Sequence, residues 1–274
     1  MLLAVLSLFL LALSTPIHAQ DKTLRIISLA PHLTEMVYSA GAGDQLVGVV
    51  NYSDYPQQAK TLPIIGSYTG INIEAVLALK PDLVLAWKGG NRQQDIERLQ
   101  QLGIKVWQTD VKDLTQIPQQ IYSIAQLTGT QAKAEPEVTE LKNALLQLQQ
   151  QYKNTNKVRT FYQIWQNPLI TVNGKQFISQ AIELCGGENI FADLPLLTPK
   201  TNIEAVIMRN PQVILLGGQP NMQTDWRQQW QKYPLIEAVN QQHIVALQAN
   251  EIQRPTARLI RALPKLCAAI AQAR

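Results

Sequence analysis

One fourteen-residue stretch occurs twice in this chain of 274 residues. Asn72-Ile73-Glu74-Ala75-Val76-Leu77-Ala78-Leu79-Lys80-Pro81-Asp82-Leu83-Val84-Leu85 returns 130 positions later as Asn202-Ile203-Glu204-Ala205-Val206-Ile207-Met208-Arg209-Asn210-Pro211-Gln212-Val213-Ile214-Leu215, with seven identities. That separation is far longer than a solenoid unit, so the repeat implies two lobes on one plan and not an array. Two like lobes enclose a cleft, the usual setting for a ligand.

Each copy carries its own local signals. Asn72 and Asn202 suit helix N-caps, the residues after them have helical apolar spacing, and Pro81 and Pro211 stop the helix before an apolar strand run. Around the first copy the pattern predicts strands over 24–29, 47–50, 83–87 and 106–109, and helices over 34–40, 73–79 and 93–102. Apolar strands alternating with helices indicate parallel sheets covered on both faces. Between the halves, Val138, Leu141, Leu145, Leu148 and Tyr152 form one stripe, which predicts a long amphipathic helix over 136–152. The second half opens with a strand over 158–164 and continues with a helix over 178–185, the second copy of the repeat and a closing helix over 256–271. The expected fold is α/β: two Rossmann-like lobes with mostly parallel sheets, joined by one long α-helix, with a ligand cleft between the lobes. The expected divisions are a signal peptide at 1–19, an N-terminal lobe at 20–132, an interlobe helix at 133–156 and a C-terminal lobe at 157–274.

The leader is read from the apolar run Leu2 to Leu13, the following Ser14-Thr15-Pro16 and the small residue Ala19, all ahead of the first charge at Asp21. The run is too short for a membrane span of about 20 residues. No cysteine adjoins the expected cleavage point, so nothing there carries a lipid, and a soluble exported protein is expected. Cys185 and Cys267 either pair, as an even count in an exported chain suggests, or stay as two buried thiols. The formal net charge is +4 with basic residues scattered, which gives no footprint for nucleic acid.

Catalytic signatures are absent: there is no G-x-S-x-G elbow, P-loop, H-E-x-x-H or C-x-x-C. Gly41-Ala42-Gly43 follows a helix instead of opening one and reads as a turn, while His32 and His243 are too far apart in sequence to suggest a metal cluster. No catalytic and no metal-binding residues are therefore assigned. Large rings do gather after expected strands: Tyr52 and Tyr55, Tyr68, Trp87 and Trp165. Ligands of open parallel sheets sit beyond the carboxyl ends of strands, where such rings form walls for a bulky, flat, partly polar molecule. Arg254 offers a charged contact from the second half. Glu74 and Glu204 have two readings: carboxylates that complement helix dipoles, worth about 0.3–1 kcal/mol each, or a matched pair that docks a two-fold partner.

Several segments together resemble the cobalamin-binding branch of the periplasmic binding proteins with a helical backbone, a class that also carries haem and siderophores. They are Tyr52-Ser53-Asp54-Tyr55-Pro56, Asn72-Ile73-Glu74, Lys80-Pro81-Asp82, Ala86-Trp87-Lys88-Gly89-Gly90-Asn91, Leu102-Gly103-Ile104-Lys105-Val106 and Cys185-Gly186-Gly187-Glu188-Asn189-Ile190-Phe191. The resemblance implies a periplasmic monomer that captures cobalamin or a related corrinoid as cargo, with no catalytic cofactor. It implies delivery to an inner-membrane ABC permease dimer with its ATPase subunits. Pro31, Tyr52, Tyr68, Trp87, Trp165, Asn250 and Arg254 are then expected at the ligand, Glu74 and Glu204 at the permease, and Cys185–Cys267 as a disulfide. The sequence departs from the pattern where Tyr68 replaces an expected Trp, where an expected Asp is either Asn250 or displaced to Glu251, where Ile164-Trp165-Gln166-Asn167-Pro168-Leu169-Ile170 stands for the aromatics expected after the lobe-two strand, and where a Trp near Thr198-Pro199 is missing. Haem or ferric-siderophore capture, with His32 or Tyr68 on the metal, is the neighbouring alternative, and an exported hydrolase the alternative of another class.

Overall fold

The computed structural model describes residues 23–274, so the expected signal peptide lies outside the described residues. Lobe one runs through β1 (Ile26–Ser28), α1 (Pro31–Ser39), β2 (Leu46–Val49), a hairpin of β3 (Gly66–Ser67) and β4 (Gly70–Ile71), α2 (Ile73–Ala78), β5 (Leu83–Trp87), α3 (Gln93–Gln101) and β6 (Val106–Thr109). Helices α4 (Gln116–Thr128) and α5 (Gln131–Tyr152) follow. Lobe two is built from β7 (Val158–Gln163), a hairpin of β8 (Trp165–Gln166) and β9 (Leu169–Ile170), α6 (Phe177–Leu184), β10 (Gly187–Asn189), α7 (Ile203–Arg209), β11 (Val213–Leu216), α8 (Pro220–Trp230), α9 (Glu237–Asn240), β12 (Ile244–Ala246), α10 (Ala249–Ile252) and α11 (Ala257–Gln272).

The main sheets have strand orders β2-β1-β5-β6 and β10-β7-β11-β12, and every pair in both is parallel. Counted within its own lobe, each sheet reads second, first, third, fourth. The sequence repeat is the helix and third strand of this shared plan, α2–β5 in one lobe and α7–β11 in the other. Equivalent positions of the two repeated strands also point the same way relative to the core. Leu83 and Leu85 of β5 face a central cluster with Val213 and Leu215 of β11, whereas Val84 and Ala86, and likewise Ile214 and Leu216, face separate outer clusters.

The central cluster crosses the lobe boundary. It joins Leu33, Met36 and Val37 of α1 to Ile121 of α4, Leu141 of α5, Ile182 of α6, and Leu259, Leu263 and Leu266 of α11. Thus α11, the last helix in sequence, packs on α1 and α5 as well as on α6. Helix α5 begins at Gln131, five residues before the proline expected to open it. Pro136 therefore costs one intrahelical bond, which the burial of Ala134, Val138, Leu141, Leu145 and Leu148 along the helix offsets. Cys185 and Cys267 form a disulfide that spans 82 residues and ties the end of α6 to α11. A loop of that length implies roughly 4 kcal/mol of stabilisation through the unfolded state.

Candidate functional site

In a sheet of this order the strand sequence reverses between the first and third strands, and loops leaving that switch point diverge to leave a crevice. In lobe one these loops follow β1 and β5. The first holds Ala30, whose extended backbone caps α1, and Pro31, the first residue of that helix, where a missing N–H costs nothing. The second begins at Trp87. The indole of Trp87 meets the His32 ring edge-on at 5.2 Å between centroids and the Tyr68 ring at 6.2 Å. Three side chains, from the start of α1, the β3–β4 turn and the end of β5, thus form one aromatic group.

The residues after Trp87 explain why that group holds together. Gly89 takes a left-handed backbone with φ of 83°, which glycine adopts without steric cost. Gly90 has no room for a side chain, since a Cβ there would lie 2.0 Å from the Trp87 ring. Asn91 then fastens the loops: its Nδ2 donates to the carbonyls of Leu29 and Tyr68, both at 2.8 Å, and its Oδ1 accepts from the Trp87 amide at 2.6 Å. His32 is buried, and its pKa is lowered to about 4, first by burial and second by the charge of Arg254. It is a neutral imidazole at pH 7.

Lobe two contributes differently. Trp165 opens the hairpin after β7, is half exposed, and lies edge-on to the buried Trp226 at 6.3 Å. Asn250 is exposed on α10. Arg254, just before α11, reaches into lobe one. Its Nη1 donates to Glu35 at 2.9 Å and to Asp54 at 2.6 Å, and its Nη2 donates to the Tyr52 carbonyl at 3.1 Å. Burial alone would make the guanidinium give up its proton more readily, but the bonds to Asp54 and Glu35 outweigh it and hold the pKa above the ordinary range. Tyr52 itself has a left-handed backbone, φ 66°, and its ring is 71% exposed. For a non-glycine residue that conformation costs about 1–2 kcal/mol, an expense typical of places where a ring or carbonyl must be aimed.

The structure therefore brings Tyr68, Trp87 and the helix start at Pro31 together, joins Tyr52 to Arg254, and sets Trp165 with Trp226 on the other lobe. Sequence reading missed the roles of Glu35, Asp54, Asn91 and Trp226. For Asp54 and Asn91 a signal existed, because each lies inside a motif whose rings were picked out. A separate groove of about 680 Å³ between α4, α5 and α6, lined by Leu114, Pro118, Leu145 and Leu184 among others, includes none of the expected binding residues.

The two repeated helix starts are alike in three dimensions as well. Asn72 Oδ1 accepts from the Ala75 amide at 3.0 Å and Asn202 Oδ1 from the Ala205 amide at 2.8 Å. Val76 and Val206 anchor the helices in the outer clusters, while Glu74 and Glu204 stand exposed in the first turn.

The model of the periplasmic binding protein family matches residues 26–251. The chain belongs to that family. Among curated relatives of this periplasmic binding protein, the vitamin B12-binding protein of Vibrio parahaemolyticus is 36% identical over 249 residues, covering 91% of this chain and 90% of the relative. That of Vibrio campbellii is 38% identical over 247 residues, 89% of this chain and 88% of the relative. Among solved structures, the periplasmic vitamin B12-binding protein BtuF of Vibrio cholerae superposes with a TM-score of 0.83 at 36% identity, covering 91% of this chain and 97% of that one. The haem-binding protein RhuT of Roseiflexus shares the fold, TM-score 0.80, at 23% identity over 92% of this chain and 99% of that one.

Proposed function

We propose that this chain captures cobalamin, or a related corrinoid, between its lobes in the periplasm and hands it to an ABC permease without altering it chemically. The observation that carries the reading is the likeness to vitamin B12-binding proteins at 36–38% identity over about nine tenths of the chain. The site supports it. Tyr68, Trp87, Tyr52 and Trp165 supply faces and edges for a broad planar ring system, and Arg254 supplies N–H donors for the amide oxygens at its periphery. Asn250, exposed on α10, is the further polar contact in this reading. Cobalamin in this role is cargo, not a cofactor, and the protein works as a monomer.

Glu74 and Glu204 are the docking carboxylates in this reading. Each stands exposed in the first turn of the helix that precedes the third strand of its lobe, so a two-fold permease can engage both lobes through matching positions. Purified protein mixed separately with cyanocobalamin and with haemin, then passed through gel filtration, tests the ligand. Co-elution of the corrin absorption with protein is the expected result. A shifted Soret band with haemin and no retained corrin would transfer the site to haem, with Tyr68 or His32 on the iron.

A further inference from the structure

We propose that Glu35 is a positioning residue for Arg254 and the bolt that sets the spacing of the two lobes; its positioning role rests on the cobalamin reading above, whereas its role as a bolt does not. Glu35 lies on α1, one turn after Pro31, and is 3% exposed. Among the described residues, its side-chain partners come from the other lobe. Oε1 accepts from Arg254 Nη1 at 2.9 Å and from Arg258 Nη2 at 2.5 Å, and Oε2 accepts from Arg258 Nε at 2.9 Å. A single buried carboxylate thus holds two guanidinium groups, one of them doubly.

The surroundings make the arrangement specific. Asp54 supplies the second negative charge, so the two carboxylates and two guanidinium groups balance, as a buried cluster requires. The Arg258 guanidinium also lies over the Tyr55 ring, 4.1 Å from its centroid. Arg254 Nη1 is fully used by Glu35 and Asp54, while Nη2 bonds the Tyr52 carbonyl and keeps a second N–H for an oxygen of the ligand. Without Glu35, Arg254 would retain only the more exposed Asp54 and the Tyr52 carbonyl, both on one loop, and its fork would swing with that loop. Arg258 would lose its carboxylate, and the contact between α1 and α11 would lose its ionic cross-tie. The cleft is in this account held near its working width before ligand arrives, which lowers the ordering cost of capture.

The test uses Glu35→Gln, which keeps the shape and removes the charge. Cyanocobalamin affinity is measured by titration calorimetry in the native and Arg254→Met backgrounds, and interlobe distances by pulsed electron resonance between ketone-reactive labels on p-acetylphenylalanine introduced in place of exposed Gln58 and Gln231. With Arg254 present, Glu35→Gln is expected to weaken binding by about tenfold; in the Arg254→Met background it should cost less than about twofold. The distance distribution should broaden and move outward. Arg258→Gln, which leaves Arg254 both carboxylates, should broaden the distances while weakening binding by no more than about threefold; if Glu35→Gln does not fold, this variant decides the bolt, and Glu35→Asp, which keeps the charge but shortens the reach to Arg254, decides the positioning in the same two backgrounds. Equal losses in the two Arg254 backgrounds would overturn the positioning role, and unchanged distances in both variants would overturn the bolt. If the native protein fails to bind cyanocobalamin, the positioning role falls with the ligand reading, and the distances still decide the bolt.

Discussion

Acid should weaken the ligand-free fold through His32, and the size of the effect follows from where the imidazole lies. Its pKa falls from an ordinary 6.5 to about 4 because the ring is buried against Trp87 and faces the positive charge of Arg254. Between those two values the unfolded chain binds a proton that the native protein refuses. The stability from keeping this histidine neutral is complete above about pH 6.5 and is lost as pH falls toward 4. Each pH unit inside the window costs about 1.4 kcal/mol, so moving from pH 7 to 4.5 should remove roughly 2–3 kcal/mol through this residue. Other groups titrate as well, so the comparison is with His32→Phe, which keeps a flat ring against Trp87 and carries no proton. Urea unfolding of both proteins at half-unit pH steps gives the two stability curves. Between pH 6 and 4.5 the native curve should fall more steeply by about one proton's worth of slope. Parallel curves would show that His32 does not titrate in the way its burial demands, and the argument would fail.

Replacing both Cys185 and Cys267 with Ser should lower stability by about 2–5 kcal/mol, read as a shift of the urea midpoint, with the ligand still bound by the fraction that folds; an unchanged midpoint would contradict the bridge. Asn91→Ala removes the fastener of three loops and leaves the Leu29 and Tyr68 carbonyls and the Trp87 amide without that partner. It should weaken cyanocobalamin binding about tenfold or more and red-shift the Trp emission as the Trp87 indole loosens toward water, and intact affinity would refute its role. Charge reversal at both Glu74 and Glu204 should abolish uptake in a reconstituted importer while calorimetric affinity for ligand stays as in the native protein. Loss of that affinity would move the pair from docking into the pocket or the fold.

Most of the main-sheet strands and most of the long helices were legible because each is local: a capping Asn, a helical stripe, a Pro, then a run of apolar residues; the three-residue strands β10 and β12 were too short to show such a run. The repeat even foretold the shared topology of the two lobes. Pattern reading does not reach α4, whose Pro118 occupies the third helical position, where no intrahelical donor is lost. It also opens α5 at Pro136 because a proline looks like a start, whereas Gly129 in a left-handed conformation closes α4 and leaves only Thr130 between the helices. Rings at strand ends could be named from sequence, since position along a strand decides which end of the sheet a residue occupies. The ionic cluster could not. Glu35 and Arg254 are 219 residues apart, and nothing local in either neighbourhood distinguishes them from surface charges. The meaning of Gly89-Gly90-Asn91 is similarly a matter of space: a turn, a clearance and a fastening, visible only once the Trp87 ring is in place.

The core that crosses the lobe boundary has a consequence for synthesis. The inner face of the first sheet is covered in part through α1 and α5, and these in turn rest on Leu259, Leu263 and Leu266 of the closing helix. A ribosome delivers those leucines after the strands of both sheets. The half of the molecule made first therefore waits on the other end of the chain for its final packing, so nascent chains cut short before α11 should be sticky to chaperones and open to proteases along their entire length, not merely frayed at the missing end.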